Sequence, residues 1–502
     1  MTTDPGRSHR HILEALSGLL LALFVSTLAS TVVTTALPRM LGQLHGSPTQ
    51  YTWVVTATLL AATAATPIWG KLADLFSKKT LIQVAVLVFV AGSLAAGLSQ
   101  NAGQLIGSRA LQGIGVGGLQ TLVNIAIGAL VPPRERGRYA GYLSSVTSIS
   151  TIGGPLLGGF IVDTSWLGWR WCFFIGIPFA AISLIMLQLT LRLPVYRREG
   201  VKIDYWGAAL ITSGVSLLLI WVSFVGGSFD WASRQTAAML AGTVVLLGAA
   251  MWVESRASEP VVPLRILRQP TIALAILGSL AAGTAMYGAS VFLTQYFQRS
   301  RGHTPTEAGL LTIPMMAGIL VASIVGGRLV TRTGKLKPFL VIGSVGLAAG
   351  FAILAFIDES TPMPLIGVAM VLIGAGVGMT LQNFVLVVQN AVPLSEIGAS
   401  SATVVFFRSL GGTVGVAVLG AVLARQVSTQ LADGASAAAA YGDATGHAFL
   451  ISAVVAVVGV VAALLLKPVS LRSSHQPTAP ATAPVADDAT QPLGVSAGRA
   501  ER

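Results

Sequence analysis

The chain has 502 residues, of which 53% are hydrophobic and 10% charged, and a net charge of +12. Soluble domains carry about 25% charged residues, so this sequence cannot cover its apolar surface with polar side chains and must be solvated largely by lipid. Its single cysteine, Cys172, excludes a disulfide framework and a cysteine metal site. No His pair has metal spacing, and the basic residues sit between apolar runs, where they orient a membrane protein rather than grip nucleic acid.

A membrane helix needs about 20 apolar residues, and such runs recur along the whole chain. The first, 12–37, is too long for the apolar core of a secretory signal and has no clear cleavage site. Further spans are expected at 50–70, 80–99, 104–130, 138–162, 170–192, 205–225, 236–254, 270–297, 307–327, 338–357, 363–390, 398–424 and 447–466. The stretch "ADGASAAAAYGDATG" before the last span reads as an outer loop of small residues, and the Pro-, Ala- and Thr-rich tail after Lys467 as disordered. With the N-terminus inside, 23 of the 31 Lys and Arg fall on the cytoplasmic side, 6 outside, and two, Arg109 and Arg408, within spans. The positive-inside rule thus predicts an even number of spans with both termini cytoplasmic.

Internal repetition tests the count independently. "GKLADLFSKK" from Gly70 returns as "GRLVTRTGKLK" from Gly327, with the basic residues kept and Asp74 replaced by Thr331. "GIGVG" at Gly113 returns as "GAGVG" at Gly374, and "VPPRERG" at Val131 as "VPLSEIG" at Val392. Each matched pair lies eight spans apart, so two six-span halves are separated by two additional helices. Duplicated halves with a site between them at the membrane midplane are a transporter architecture. The expected organisation is a cytoplasmic N-terminus (1–11), an N-terminal six-helix half (12–192), a linker with two extra helices (193–269), a C-terminal six-helix half (270–467) and a cytoplasmic tail (468–502). The fold class is all-α, membrane-integral, with 14 transmembrane helices.

Together with "RALQGIGVGG" from Arg109, "SISTIGGPLLGG" ending at Gly159, "WRWCFFIGIP" and "IDYWGAAL", these motifs resemble the major facilitator superfamily, and within it the fourteen-span drug:proton antiporter branch, over residues 12–467. The resemblance implies a monomeric multidrug-type exporter that uses a proton gradient and no bound cofactor, with the lipid bilayer, protons and small amphipathic substrates as its partners. No Walker-type loop is present for ATP, and no nucleophile–base pair or metal cluster among the few polar span residues points to an enzyme. A dedicated exporter of one natural product or lipid, and a non-transporting sensor with the same fold, are the alternatives.

The loop of Gly70, Asp74, Lys78 and Lys79 resembles a conformational latch. A carboxylate is stabilised at a helix N-terminus, and the resemblance implies that Asp74 docks near Gly398 to Ser401 in the outward-open state, with one such latch sufficing. Leu75 and Ser77 depart from the usual basic residue and Gly. Gly154, Pro155, Gly158 and Gly159 put small residues on one helical face and remove one helix hydrogen bond, which suits either ordinary packing or the hinge that the exporter motif implies. Arg109 lies within snorkelling reach of a surface, and its counterparts in the family are linked to proton movement. Arg408, about 15 Å into its span at 1.5 Å per residue, is the stronger candidate to meet substrate or a counter-ion. Thr31, Thr34, Gln120, Asn124, Tyr287, Gln382, Asn383 and Phe407 are midspan residues that serve either as helix-packing contacts or as a substrate cavity. Relatives usually place an Asp in the first span where this chain has Ala29, and none of its 19 acids lies near the middle of a span. The expected preference is for neutral, anionic or weakly monocationic amphiphiles over dications.

Overall fold

The computed structural model describes residues 5–45, 48–131, 135–164, 166–191, 204–226, 229–257, 260, 264–393 and 396–467. The tail from 468 and most of the basic linker loop at 192–203 lie outside them. Helices account for nearly all of the described residues, among which the only β-pairing is an isolated bridge between Val225 and Phe229.

The N-terminal half comprises α1 (Pro5–Gln43), α2 (Pro48–Leu75), α3 (Lys78–Gly97), α4 (Ala102–Leu130), α5 (Arg136–Asp163), and α6 (Trp171–Phe174) continued by α7 (Gly176–Thr190). Next come α8 (Tyr205–Phe224) and α9 (Arg234–Glu254), then the short α10 (Leu264–Leu267). The C-terminal half holds α11 (Pro270–Arg299), α12 (Pro305–Leu311) with α13 (Ile313–Thr333), α14 (Lys337–Leu354), α15 (Met363–Ala391), α16 (Ile397–Ala432) and α17 (Ala437–Leu465).

Helix starts follow local chemistry. Ser77, Asn101, Asp204, Ser233 and Ser436 each accept a hydrogen bond from a backbone N–H in the first turn of the helix they precede, and Thr304 with Glu307 forms a capping box. At the far end of α13, Gly334 takes the left-handed conformation (φ 69°) that closes a helix without steric cost. Arg136 closes the end of α4: its Nε donates to Val131 O at 3.0 Å, and a second guanidinium nitrogen donates to Gly128 O.

Thirteen helical segments among the described residues are long and apolar enough to cross a membrane. The predicted fifth span corresponds to α5, 28 residues long but rich in Ser, Thr and Gly, and it is not among those thirteen. One predicted boundary needs correction. Helix α1 runs beyond its apolar span, which begins at Leu13, but α17 begins at Ala437, inside the stretch read as a loop. Alanine is the best helix former, and Ser436 supplies the cap. Gly442 and Gly446 then let this added length pack against the backbone after α14.

Each half has its own apolar core, one around Leu19, Phe89, Leu119 and Leu187, the other around Phe292, Phe297, Phe351 and Phe449. The repeated glycine motif does the same work in both. A Cβ on Gly113 or Gly117 would run into the α2 backbone, and one on Gly115 into α3. In the other half Gly374 and Gly378 lie against α13, and Gly376 against α14. A middle helix can approach two neighbours this closely only with glycine on both faces. The halves meet chiefly through α2 with α16 and α5 with α13. The α8–α9 hairpin lies at the periphery: α9 packs mainly on α8, and α8 packs on α2 and α16. Trp206 and Trp252 are exposed, while Trp221 packs edge-on against Trp231.

Candidate functional site

The two halves are stitched together at one end of the bundle, where α2 stops and α16 starts. Gly70 permits the approach, since a Cβ there would collide with Ala402. One turn later, the Asp74 carboxylate accepts from Gly398 N and Ala399 N, both at 2.8 Å. A carboxylate on the first free N–H groups of a helix gains charge-assisted hydrogen bonds and a favourable dipole. Lys71 and Lys78 lie close enough to add Coulombic attraction. Lys79 serves a different partner, donating to Gln188 O at 2.8 Å near the end of α7. Ser77 is the N-cap of α3, and Leu75 is buried, so both departures from the family pattern have structural employment.

The second copy of the motif also makes a contact between the halves. Thr331 Oγ1 accepts from Arg138 N at 3.1 Å, at the start of α5. Helix α5 is the counterpart of α16, so each copy touches the first turn of the equivalent helix in the opposite half. Asp74 makes two bonds with a formal charge; Thr331 makes one without. Nearby, Gln389 of α15 donates through Nε2 to Asn124 O on α4 (3.3 Å) and to Ser401 Oγ on α16 (3.0 Å). The sequence reading missed Gln389. Its signal was an amide inside the apolar run "FVLVVQN".

The remaining predicted residues divide into three settings. In the N-terminal half, Arg109 is buried away from the other half. It donates to Gln112 Oε1 and, through Nε, to Val54 O at 3.5 Å, and its guanidinium lies 6.0 Å from the Phe173 ring centre. Gln112 passes the chain on to Ser93 Oγ at 2.7 Å. Along the α1–α5 seam, Gly154 faces Thr31 so closely that any Cβ would overlap it, and Thr31 Oγ1 donates to Ser150 O at 3.2 Å. Gly158 is buried, whereas a Cβ on Gly159 would meet nothing within 4 Å. The side chains of Thr34, Pro155 and Asp163 lie outside the described residues. Ala29 is packed into the N-terminal core.

The third setting is the space between the halves. Gln382 and Asn383 line a cleft with Gly141, Ser144, Ser323, Gly327 and Gly378, between α5, α13 and α15. Asn383 and Asn124 each turn their amide N–H back to the carbonyl four residues earlier, at 2.6 and 2.7 Å. Gln120 is half-buried. Phe407 stacks edge-on with Phe406 and packs where α8 meets α16. Within the C-terminal half, where α11 meets α16, Arg408 and Tyr287 are electrostatic neighbours, each half-buried. Tyr287 lies over Gly412, where a Cβ would strike its ring, and Gly283 of α11 sits against the Arg408 carbonyl.

The sequence profile of the Major Facilitator Superfamily matches residues 19–416 and, in a second match, 276–496. The chain belongs to the Major Facilitator Superfamily. This superfamily member is 35% identical over 484 residues to an uncharacterized MFS-type transporter of Mycobacterium tuberculosis, covering 91% of this chain and 70% of the relative. It is 33% identical to the multidrug transporter protein MdtP of Bacillus subtilis (86% of this chain, 79% of the relative). With the efflux pump dotC of Dothistroma septosporum it shares 34% identity, over 82% of this chain and 70% of the relative. Among solved structures, the proton:xylose symporter XylE superposes with a TM-score of 0.62 at 16% identity, covering 93% of this chain and 98% of the other. That likeness establishes the fold. The superfamily assignment makes the protein a multi-pass membrane transporter rather than an enzyme.

Proposed function

We propose that this protein is a secondary exporter that moves small amphipathic molecules across the cytoplasmic membrane by alternating access, in exchange for protons. The observation that carries the reading is the tie between halves at one end of the bundle, Asp74 on the first turn of α16 with Gln389 beside it. The positive-inside rule assigns that end, with its Lys and Arg, to the cytoplasm. The state described is then sealed inward, and release of these contacts opens the cavity to the cytoplasmic leaflet where amphiphiles dissolve. The similarity to a named multidrug transporter and a named efflux pump supports the outward direction of transport.

In this reading α5 crosses the membrane together with the thirteen apolar segments, and the positive-inside rule then sets both ends of the spanning bundle on the cytoplasmic side. No described carboxylate occupies the middle of a span, so proton exchange belongs to peripheral acids such as Asp74 or Asp163, or to the substrate itself. The test is transport in proteoliposomes holding the purified chain, with a fluorescent amphiphile and an imposed pH gradient. Accumulation that follows the gradient and collapses with a protonophore is expected. A panel of neutral, anionic and cationic amphiphiles that all ignore both protein and gradient would overturn the reading and leave the sensor alternative standing.

A further inference from the structure

Two arginines lie within spans, and the structure treats them differently. The guanidinium of Arg109 has Gln112, a backbone carbonyl and an aromatic face for company. Arg408, twelfth residue of α16 and thus about 16 Å along it, makes no hydrogen bond or ion pair among the described residues. It is enclosed by protein yet keeps partial accessibility. A cation at such depth without a partner is costly, and polar groups held there usually face a wet cavity and serve function.

Gly283 allows α11 to close onto the α16 backbone at Arg408, and Gly412, four residues on and on the same helical face, allows the Tyr287 ring to pack against α16. Arginine and tyrosine are thereby held near one another where α11 meets α16. A guanidinium offers paired N–H donors in a rigid fork that matches a carboxylate, and a phenol O–H is a further donor.

We propose that Arg408, assisted by Tyr287, binds the anionic head of the exported molecule, so that the substrate class is an amphiphile carrying a carboxylate or similar oxyanion on an apolar body. This deepens, and rests on, the exporter reading above. A bound oxyanion supplies the charge that Arg408 lacks. A cationic amphiphile would place a second positive charge in the same enclosure.

The test uses the full chain in lipid nanodiscs and three probes with one dansyl-undecyl body, ending in a carboxylate, its methyl ester or a trimethylammonium group. Empty nanodiscs correct for partitioning. The carboxylate is expected to bind at least about tenfold more tightly than the ester, as a charge-assisted bond in a shielded site allows, and the ammonium more weakly than either. Arg408→Gln should erase the advantage of the carboxylate, Arg408→Lys should retain part of it, and Tyr287→Phe should reduce it. Equal binding of carboxylate and ester to the wild type would overturn the proposal, as would a folded Arg408→Gln variant that kept the preference. If that variant does not fold, the wild-type ranking and Arg408→Lys still decide. Gradient-driven export of the ester without any preference for charge would remove the anion site alone. Selective binding without transport of any probe would remove the exporter reading alone.

Discussion

At the scale of single residues, the exporter motif in α5 is not uniform. Gly154 has Thr31 pressed against it, while Gly159 has open space. Overpacking a tight contact costs about 1–3 kcal/mol, so Gly154→Ala should lower the unfolding temperature in detergent and Gly159→Ala should leave it near wild type. Equal effects would mean that the motif acts through something other than the α1–α5 seam. Asp74 obeys a different rule, because in the proposed cycle its bonds join two bodies that must separate. Hydrogen bonds to charged groups contribute about 1.5–3 kcal/mol each, and Asp74 makes two. Asp74→Asn should therefore impair transport while membrane insertion and abundance stay near normal. Transport at the wild-type rate would exclude it as a conformational contact.

At the scale of elements, the two copies of the basic turn form a graded pair. The Thr331 contact is one neutral bond, worth about 0.5–1.5 kcal/mol. Thr331→Val should slow transport less than Asp74→Asn, and the double variant should be slower than either. If Thr331→Val proved the more damaging, the ranking by charge would fail. The repeats made the duplication legible in the sequence: the Gly113 and Gly374 motifs fall eight spans apart, in equivalent helices of the two halves. What the sequence hid was partner choice. Nothing local to Gln389 says that its amide reaches Asn124 and Ser401 across the boundary, and nothing local to Thr331 reveals Arg138. The start of α17 was hidden for another reason. Its alanines and glycines lack the hydropathy of a span yet have ample helix propensity and a cap.

At the scale of the molecule, charge is distributed with a purpose. The described spans set Arg408 beside Tyr287 where α11 meets α16 and bury Ala29 among apolar side chains. Dications should thus be poor substrates, checked by proteoliposome transport of a dication and a neutral analogue under one pH gradient. Because Ala29 is packed rather than cavity-facing, Ala29→Asp should not rescue the dication and should cost stability, since an unpaired charge in the membrane costs at least about 2.5–3.5 kcal/mol. Robust dication transport by the wild type would sink the charge argument. The extra hairpin should also be visible to lipid: in a single-tryptophan variant keeping Trp252, a quencher attached to acyl chains should dim the fluorescence strongly, and substrate should not change it. Protection from that quencher would place the hairpin inside the bundle.

That hairpin has a mechanical meaning. Helix α8 lies across the seam, touching α2 of one half and α16 of the other, with Trp53 and Phe224 4.8 Å apart and Phe406 set against Val215 and Leu219. Whichever way the halves rock, one of these contacts must slide. Both surfaces are hydrocarbon bathed in hydrocarbon, where losing a side-chain neighbour to an acyl chain carries no penalty from water. In the proposed cycle the hairpin would thus act as a bearing, keeping the moving parts in line while offering them little resistance.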